Sequence, residues 1–175
     1  MNIVGIAGKA GSGKDVIAEY LVDVFGYHRR AWADSLKDAA GAIFGLTREQ
    51  MYGGEKEVVD RYWGHSPRYI LQKLGTECLR QGYGKDVWIR SFYRHISQQP
   101  MSWFWVVPDV RFENEARAIR EWGGRLWRVD RPGVGEVGMA GHASEHDLDN
   151  WVEWDQVLVN DGTVLELLER VEALI

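Results

Sequence analysis

Apolar and polar positions follow two alternating periods along this chain. Residues 2–7 (NIVGIA) form an apolar run that stops at Gly8, the pattern of a strand buried on both faces of a parallel sheet. Beyond Lys14 the period becomes helical. Val16, Ile17, Tyr20, Leu21, Val24 and Phe25 mark one face, and Gly26 closes the helix. A second helix is expected over residues 35–44, capped by Asp34 or Ser35. Residues 47–65, rich in glycine and charge, read as a loop with room for one helical turn. Ser66-Pro67 is a capping residue followed by proline at the first helical position, and the helix it starts should reach about Arg80. Gly82 and Gly84 break that helix, and Asp86 caps another that ends near Gln98.

The second half repeats the alternation. Residues 103–108 (WFWVVP) are the most apolar run and predict a central strand. A helix over 112–122 is stopped by Gly123-Gly124, and a strand follows over 126–130. Residues 131–149 hold glycines, a proline and no clear period, and read as a mobile loop. A last strand is expected over 154–160. Val164, Leu165, Leu168, Val171, Leu174 and Ile175 mark a final amphipathic helix. Strands alternating with helices predict an α/β fold with a mainly parallel sheet.

Composition narrows the class. The 175 residues suffice for a single domain with a core, and 45% hydrophobic with 27% charged residues is ordinary for a soluble globular chain. A net charge of −5 argues against a nucleic-acid polymer as partner, although local Arg and Lys clusters still suit a small anion. Cys78 is the single cysteine, so an intrachain disulfide and a thiolate-built metal site are excluded, and a reducing cytoplasm fits. No signal peptide and no membrane-spanning run is expected. The nine tryptophans should mostly fill core gaps, with some bordering a ring-binding pocket.

The candidate chemistry begins at residues 8–14. Gly8, Lys9, Ala10, Gly11, Ser12, Gly13 and Lys14 fit G-x-x-x-x-G-K between a predicted strand and a predicted helix. Glycines let backbone N–H groups curl around phosphate oxygens, the helix directs its positive end at them, and Lys14 can reach β- and γ-phosphates. The bland alternative is a glycine-rich turn that binds nothing. Asp15 stands where Ser or Thr ordinarily supplies a hydroxyl to Mg²⁺. It either holds the ion, directly or through water, or stabilises the helix start. Asp109, after the apolar strand, has the same two readings: a Mg²⁺ site or a cap on the next helix. Lys37 and Arg68 near helix starts, with Arg111 and Arg131 near strand ends, are the basic groups placed around phosphates. His142, Glu145 and His146 fit the zinc-peptidase pattern H-x-x-E-H, but lack the helix that pattern needs. No zinc is expected there, and the segment reads as part of a lid or as a solvated loop.

GKAGSGKD at 8–15, ADSLKDA at 33–39, LQKLGTE at 71–77, VVPDVRFENEARAI at 106–119, VDRPG at 129–133 and VNDG at 159–162 occur in this order. The series resembles the phage deoxynucleoside monophosphate kinases, in the thymidylate- and adenylate-kinase-like group, and covers nearly the whole chain. GKD in place of GK[ST] is itself typical of that family. The resemblance implies a P-loop NTPase-type three-layer sandwich with a mainly parallel central sheet, a single kinase domain with a substrate-binding helical region at about 34–98, and a lid at about 132–148. It implies ATP and Mg²⁺ as cofactors, with Gly8 to Val16, Arg131, Asn160, Asp161 and Gly162 around ATP and the last three near adenine. Asp34, Lys37, Arg68, Gln72, Gly75 and Thr76 would serve the acceptor, and Arg111 would clamp the transferred group. The expected partner is a small-molecule nucleotide, with no polymer and no membrane, and with a homodimer left open. The expected place is the cytoplasm, that of the host for a phage-encoded chain. Two rival functions stay open: another small-metabolite kinase of phosphomevalonate-kinase type, and a non-catalytic nucleotide-binding module.

Overall fold

The structure, a computed structural model, describes residues 1–134 and 147–175. The strands are β1 (Asn2–Ala7), β2 (His28–Arg29), β3 (Phe104–Val110), β4 (Arg125–Asp130) and β5 (Gln156–Val159). The helices are α1 (Lys14–Phe25), α2 (Asp34–Phe44), α3 (Arg48–Tyr52), α4 (Pro67–Gln72), α5 (Val87–Ile96), α6 (Glu113–Glu121) and α7 (Val164–Glu172). A short 3₁₀ turn covers Gly54–Glu57, and α4 runs on into a π-helical stretch over Lys73–Gln81. The chain divides into two compact units, residues 1–31 with 99–175, and residues 32–98.

The first unit carries the sheet, in the order β2-β3-β1-β4-β5, with every pairing parallel. One face packs α1 and α7 through Ile17, Ala18, Leu21, Leu167 and Val171 onto Val4, Ile6, Val106, Trp127, Val129 and Leu158. On the other face α6 approaches β1 so closely that a Cβ on Gly5 would stand 2.4 Å from Ile119 Cδ1. The result is the expected three-layer α/β arrangement. The run 103–108 does become an interior strand, but β3 continues to Val110, so Asp109 lies within the strand rather than beyond it. Proline offers no N–H to a ladder. The β1–β3 register accordingly slips beside Pro108, from Gly5↔Val107 to Ala7↔Val110, and the extra residue lets the strand continue.

Several helix details differ from expectation. α7 buries Leu167 and Val171, whereas Val164 and Leu165, expected on the apolar face, are exposed. The helix is held at its start by Thr163 and Glu166, which cap each other's backbone N–H groups. That fixes the phase by the cap rather than by the most apolar stripe.

In the second unit, α2 begins after Ala33, and Asp34 is its first residue rather than its cap. The Ser35 hydroxyl instead accepts from the Ser91 hydroxyl at 2.9 Å. Asp86 precedes α5 without a side-chain cap bond. Ser66 accepts from Tyr69 N, as Ser66-Pro67 predicts. Residues 47–65 hold more structure than one turn. Thr47 and Gln50 form a reciprocal cap on α3, and Asp60 accepts from the N–H groups of Tyr62 and Trp63 and from Gln50. These hydrogen bonds hold the Asp60 carboxyl below its ordinary value.

The two leucines of α7 separate the faces. Leu167 is 2% exposed and Leu165 67%. Leu167→Ala is expected to cost about 2–5 kcal/mol and Leu165→Ala no more than about 0.5 kcal/mol. Denaturant midpoints at unchanged slope measure both.

Candidate functional site

The phosphate-type loop leaves β1 at Gly8 and enters α1 at Lys14. Two of its glycines are required by close approach as well as by backbone angle. At Gly8, with φ 145°, a Cβ would lie 2.4 Å from the Val129 carbonyl oxygen. At Gly13, with φ 108°, it would lie 2.8 Å from Asn160 Nδ2. No L side chain satisfies either position without strain. Ser12 N donates to the Lys9 carbonyl at 3.1 Å, and Lys14 Nζ donates to the same carbonyl at 2.7 Å. Lys14 is buried, so its ammonium is curled back over the loop. Asn160 Nδ2 donates to Ser12 O at 2.8 Å, tying the end of β5 to the loop. Arg131 Nη1 reaches the Gly11 carbonyl at 3.3 Å.

The buried polar and charged residues among those described are Ser12, Lys14, Glu115 and Asn160. Three of them belong to this loop or brace it. Ser12 is 1% exposed, and its hydroxyl has no hydrogen-bond partner among the described residues. A buried orphan hydroxyl costs free energy unless something supplies a partner. Together with the N–H groups at the start of α1 and a buried ammonium, it fits a polyanionic ligand.

Beside the loop lies a cleft lined by Gly8, Lys9, Arg111, Arg128, Asp130 and Trp154, among others. Arg128 Nε donates to Asp130 Oδ1 at 2.7 Å. The β3–α6 turn that carries Arg111 is tied by carboxylates. Glu115 Oε2 accepts from Arg111 N at 2.9 Å and Phe112 N at 3.2 Å, and Asp147 Oδ2 accepts from Glu113 N at 2.7 Å.

A sequence model of the deoxynucleotide monophosphate kinase family matches residues 47–171. A protein of Acanthamoeba polyphaga mimivirus, named for that activity, is 36% identical, over 98% of this chain and 94% of its own length. The chain belongs to the deoxynucleotide monophosphate kinase family. The deoxynucleotide monophosphate kinase of Enterobacteria phage T4 is 28% identical over 61% of this chain, which spans 44% of that protein. Among solved structures, a dephospho-CoA kinase from Campylobacter jejuni covers 99% of the chain, and 95% of its own chain is matched, at 14% identity with a TM-score of 0.52. That likeness shows the fold.

Within the first unit the expected residues come together only in part. Gly8 to Val16, Arg131 and Asn160 surround one loop, and Arg111 shares a cleft with Gly8 and Lys9. Asp15 is exposed and paired to Arg29 at 3.2 Å, a partner on β2 that its sequence distance concealed. Asp109 is half-buried on β3 and is not the cap of α6; Phe112 holds that position. Asp161 pairs with Arg170 at 2.9 Å, and this hydrogen bond holds its carboxyl below the ordinary value. Gly162 packs against Glu166.

In the second unit Tyr52 OH donates to Asp34, and Lys37 Nζ lies 3.7 Å from the Tyr52 ring centroid. Arg68 pairs with Glu57. Gln72 is exposed and Thr76 half-buried. Gly75 is buried under Leu36, its carbonyl accepting from Trp88 Nε1 at 3.2 Å, so packing alone explains that glycine. His142, Glu145, His146 and most of the expected lid lie outside the described residues.

Glu115, Asp147, Arg128, Asp130 and Trp154 were not among the expected site residues. Glu115 had a legible signal, a Glu three residues after Phe112, where the helix is expected to begin. Asn160→Ala would leave the Ser12 carbonyl unpaired and remove the contact that fills the space above Gly13. A loss of about 1–3 kcal/mol is expected in chemical denaturation.

Proposed function

We propose that this chain transfers the γ-phosphoryl group of ATP to a deoxynucleoside monophosphate, giving ADP and the deoxynucleoside diphosphate. The observation that carries the reading is a glycine loop that holds the buried Lys14 and a buried Ser12 hydroxyl with no partner among the described residues, in a chain of this family. The bond between the γ-phosphorus and the β,γ-bridging oxygen breaks as a bond to an acceptor phosphate oxygen forms. That acceptor oxygen is already anionic near neutral pH, so no residue is needed as a base. Positioning and charge neutralisation supply the rate. Lys14 neutralises charge on the β- and γ-phosphates, the loop N–H groups orient them, and Arg111 clamps the transferred group with its paired donors. Arg131, Asn160, Asp161 and Gly162 complete the ATP side.

Asp15 and Asp109 supply hard carboxylate oxygens of the kind Mg²⁺ prefers and are the residues assigned to hold it, directly or through water. Bound there, the ion neutralises phosphate charge. The unit formed by residues 32–98 is assigned to the acceptor, through Asp34, Lys37, Arg68, Gln72, Gly75 and Thr76. The Lys37 ammonium over the Tyr52 ring supports this, because it puts a cation in that unit. No helix of the described residues is long and apolar enough to cross a membrane. A lone exposed cysteine and the net charge of −5 support a reducing cytoplasm and a small nucleotide rather than a polymer.

Coupled ADP release against a panel of deoxynucleoside and ribonucleoside monophosphates, with phosphomevalonate included, tests the reading. Turnover is expected with one or more deoxynucleotides, to exceed that with their ribose counterparts, and to be lost in a folded Lys14→Ala variant. ATP binding without acceptor-dependent ADP release would leave a non-catalytic nucleotide module.

The metal assignment has its own measurement. Asp15→Asn or Asp109→Asn is expected to raise the Mg²⁺ concentration needed for half-maximal rate. An unchanged Mg²⁺ dependence in both variants rejects the assignment.

A further inference from the structure

Three successive backbone N–H groups, those of Arg111, Phe112 and Glu113, are each taken by a carboxylate. Helix starts leave such donors without intrahelical partners, and an exposed Ser or Thr is the usual remedy. Elsewhere this chain caps with a Ser or Thr hydroxyl, at Thr47, Ser66 and Thr163, and at Thr47 and Thr163 the third-position Gln50 or Glu166 also accepts from the cap N–H. At the β3–α6 turn it uses Glu115, which is 2% exposed. Burying a carboxylate is costly unless charge-assisted hydrogen bonds offset it. A single oxygen, Oε2, receives two adjacent N–H groups, and it lies at the positive end of α6. Both bonds persist in one backbone arrangement of residues 111–112, so the buried charge locks that arrangement.

The residue so locked is Arg111, whose exposed side chain lines the cleft with Gly8 and Lys9. A long side chain at the surface reaches a defined point only if its backbone origin is fixed. We infer that Glu115 is a positioning residue for phosphoryl transfer: through the backbone of residues 111–112 it sets where the Arg111 guanidinium meets the transferred group. This rests on the role proposed for Arg111.

A double-mutant cycle on the full chain tests it, with folding verified by circular dichroism and thermal melts. Misplacement of a catalytic group by about 1 Å typically costs about 10²-fold, so Glu115→Ala is expected to lower kcat about 10²-fold, with KM for ATP and acceptor little changed. Glu115→Gln keeps an acceptor oxygen and should retain most of kcat. In the Arg111→Ala background, Glu115→Ala should cost almost nothing more, because both changes disable one device. Full additivity of the two losses overturns the inference, since Glu115 would then act independently of Arg111. Wild-type kcat in folded Glu115→Ala, alongside a large loss in Arg111→Ala, overturns it while the proposed function stands. Wild-type kcat in Arg111→Ala removes the role of Arg111 and this inference with it. Should Glu115→Ala fail to fold, Glu115→Asp takes its place. Its shorter stem draws the carboxylate back from the two N–H groups, and an unchanged kcat there is equally decisive against the inference.

Discussion

The structure of the first unit depends on how closely the loop after β1 can approach its neighbours. At Gly8 the main chain passes against the Val129 carbonyl, and at Gly13 against the Asn160 side chain, with no room for a Cβ at either place. One contact comes from β4 and the other from the end of β5. Both are available only because these strands run parallel to β1 and bring their carboxyl ends to the same edge. The parallel sheet and the glycine loop are therefore one constraint. A loop with side chains at positions 8 and 13 would be pushed off the sheet edge, and α1 would lose the seat that directs its first N–H groups outward.

That edge also holds the buried polarity of the described residues. Ser12 and Lys14 sit in the loop, Asn160 follows β5, and Glu115 lies behind the end of β3. The core proper, between the sheet and α1 with α7, is built from aliphatic side chains and Trp127. Buried polar groups cost stability wherever they are not paired, so the gathering of these four residues at one edge is consistent with the site proposed there. Asn160, Lys14 and Glu115 are paired to backbone groups, and each of those bonds shapes the loop or the adjoining turn. Among the described residues the Ser12 hydroxyl is unpaired at this edge, and the Trp127 indole N–H is unpaired within the core.

What the sequence makes legible follows from how local the governing interactions are. The strand–loop–helix unit at residues 2–25, with Gly26 as its stop, is written in contiguous residues and appears where expected. β2 is only two residues long, and no periodicity can announce a strand that short. The expected face of α7 holds at Val171 and Leu174, while the sequence pattern omits the buried Leu167 and includes the exposed Val164 and Leu165. The Thr163–Glu166 cap and the sheet beneath set which face is buried. The strand expected over 103–108 runs to Val110, because a register slip against β1 carries β3 past Pro108 and leaves Asp109 one residue from its end. The site was legible where it is a motif and hidden where it is an encounter. Residues 8–15 and Arg111 could be named, while Arg29 beside Asp15 and Asp147 beside Glu113 are brought together from distant segments.

Asp15 shows how magnitude settles an apparent conflict. The residue stands where a hydroxyl is usual, and in the structure it faces Arg29, which at first sight removes it from any role at the phosphates. Its side chain is 72% exposed, and the pairing is a single 3.2 Å contact. Exposed ion pairs of this kind are worth about 0–1 kcal/mol and weaken with salt. A divalent cation beside bound phosphate groups presents a far larger local charge to the same carboxylate. The pair with Arg29 is therefore weak enough to be exchanged. A buried or bidentate pair at this position would have locked the carboxylate away. The exposed one leaves it available for the Mg²⁺ role proposed for it.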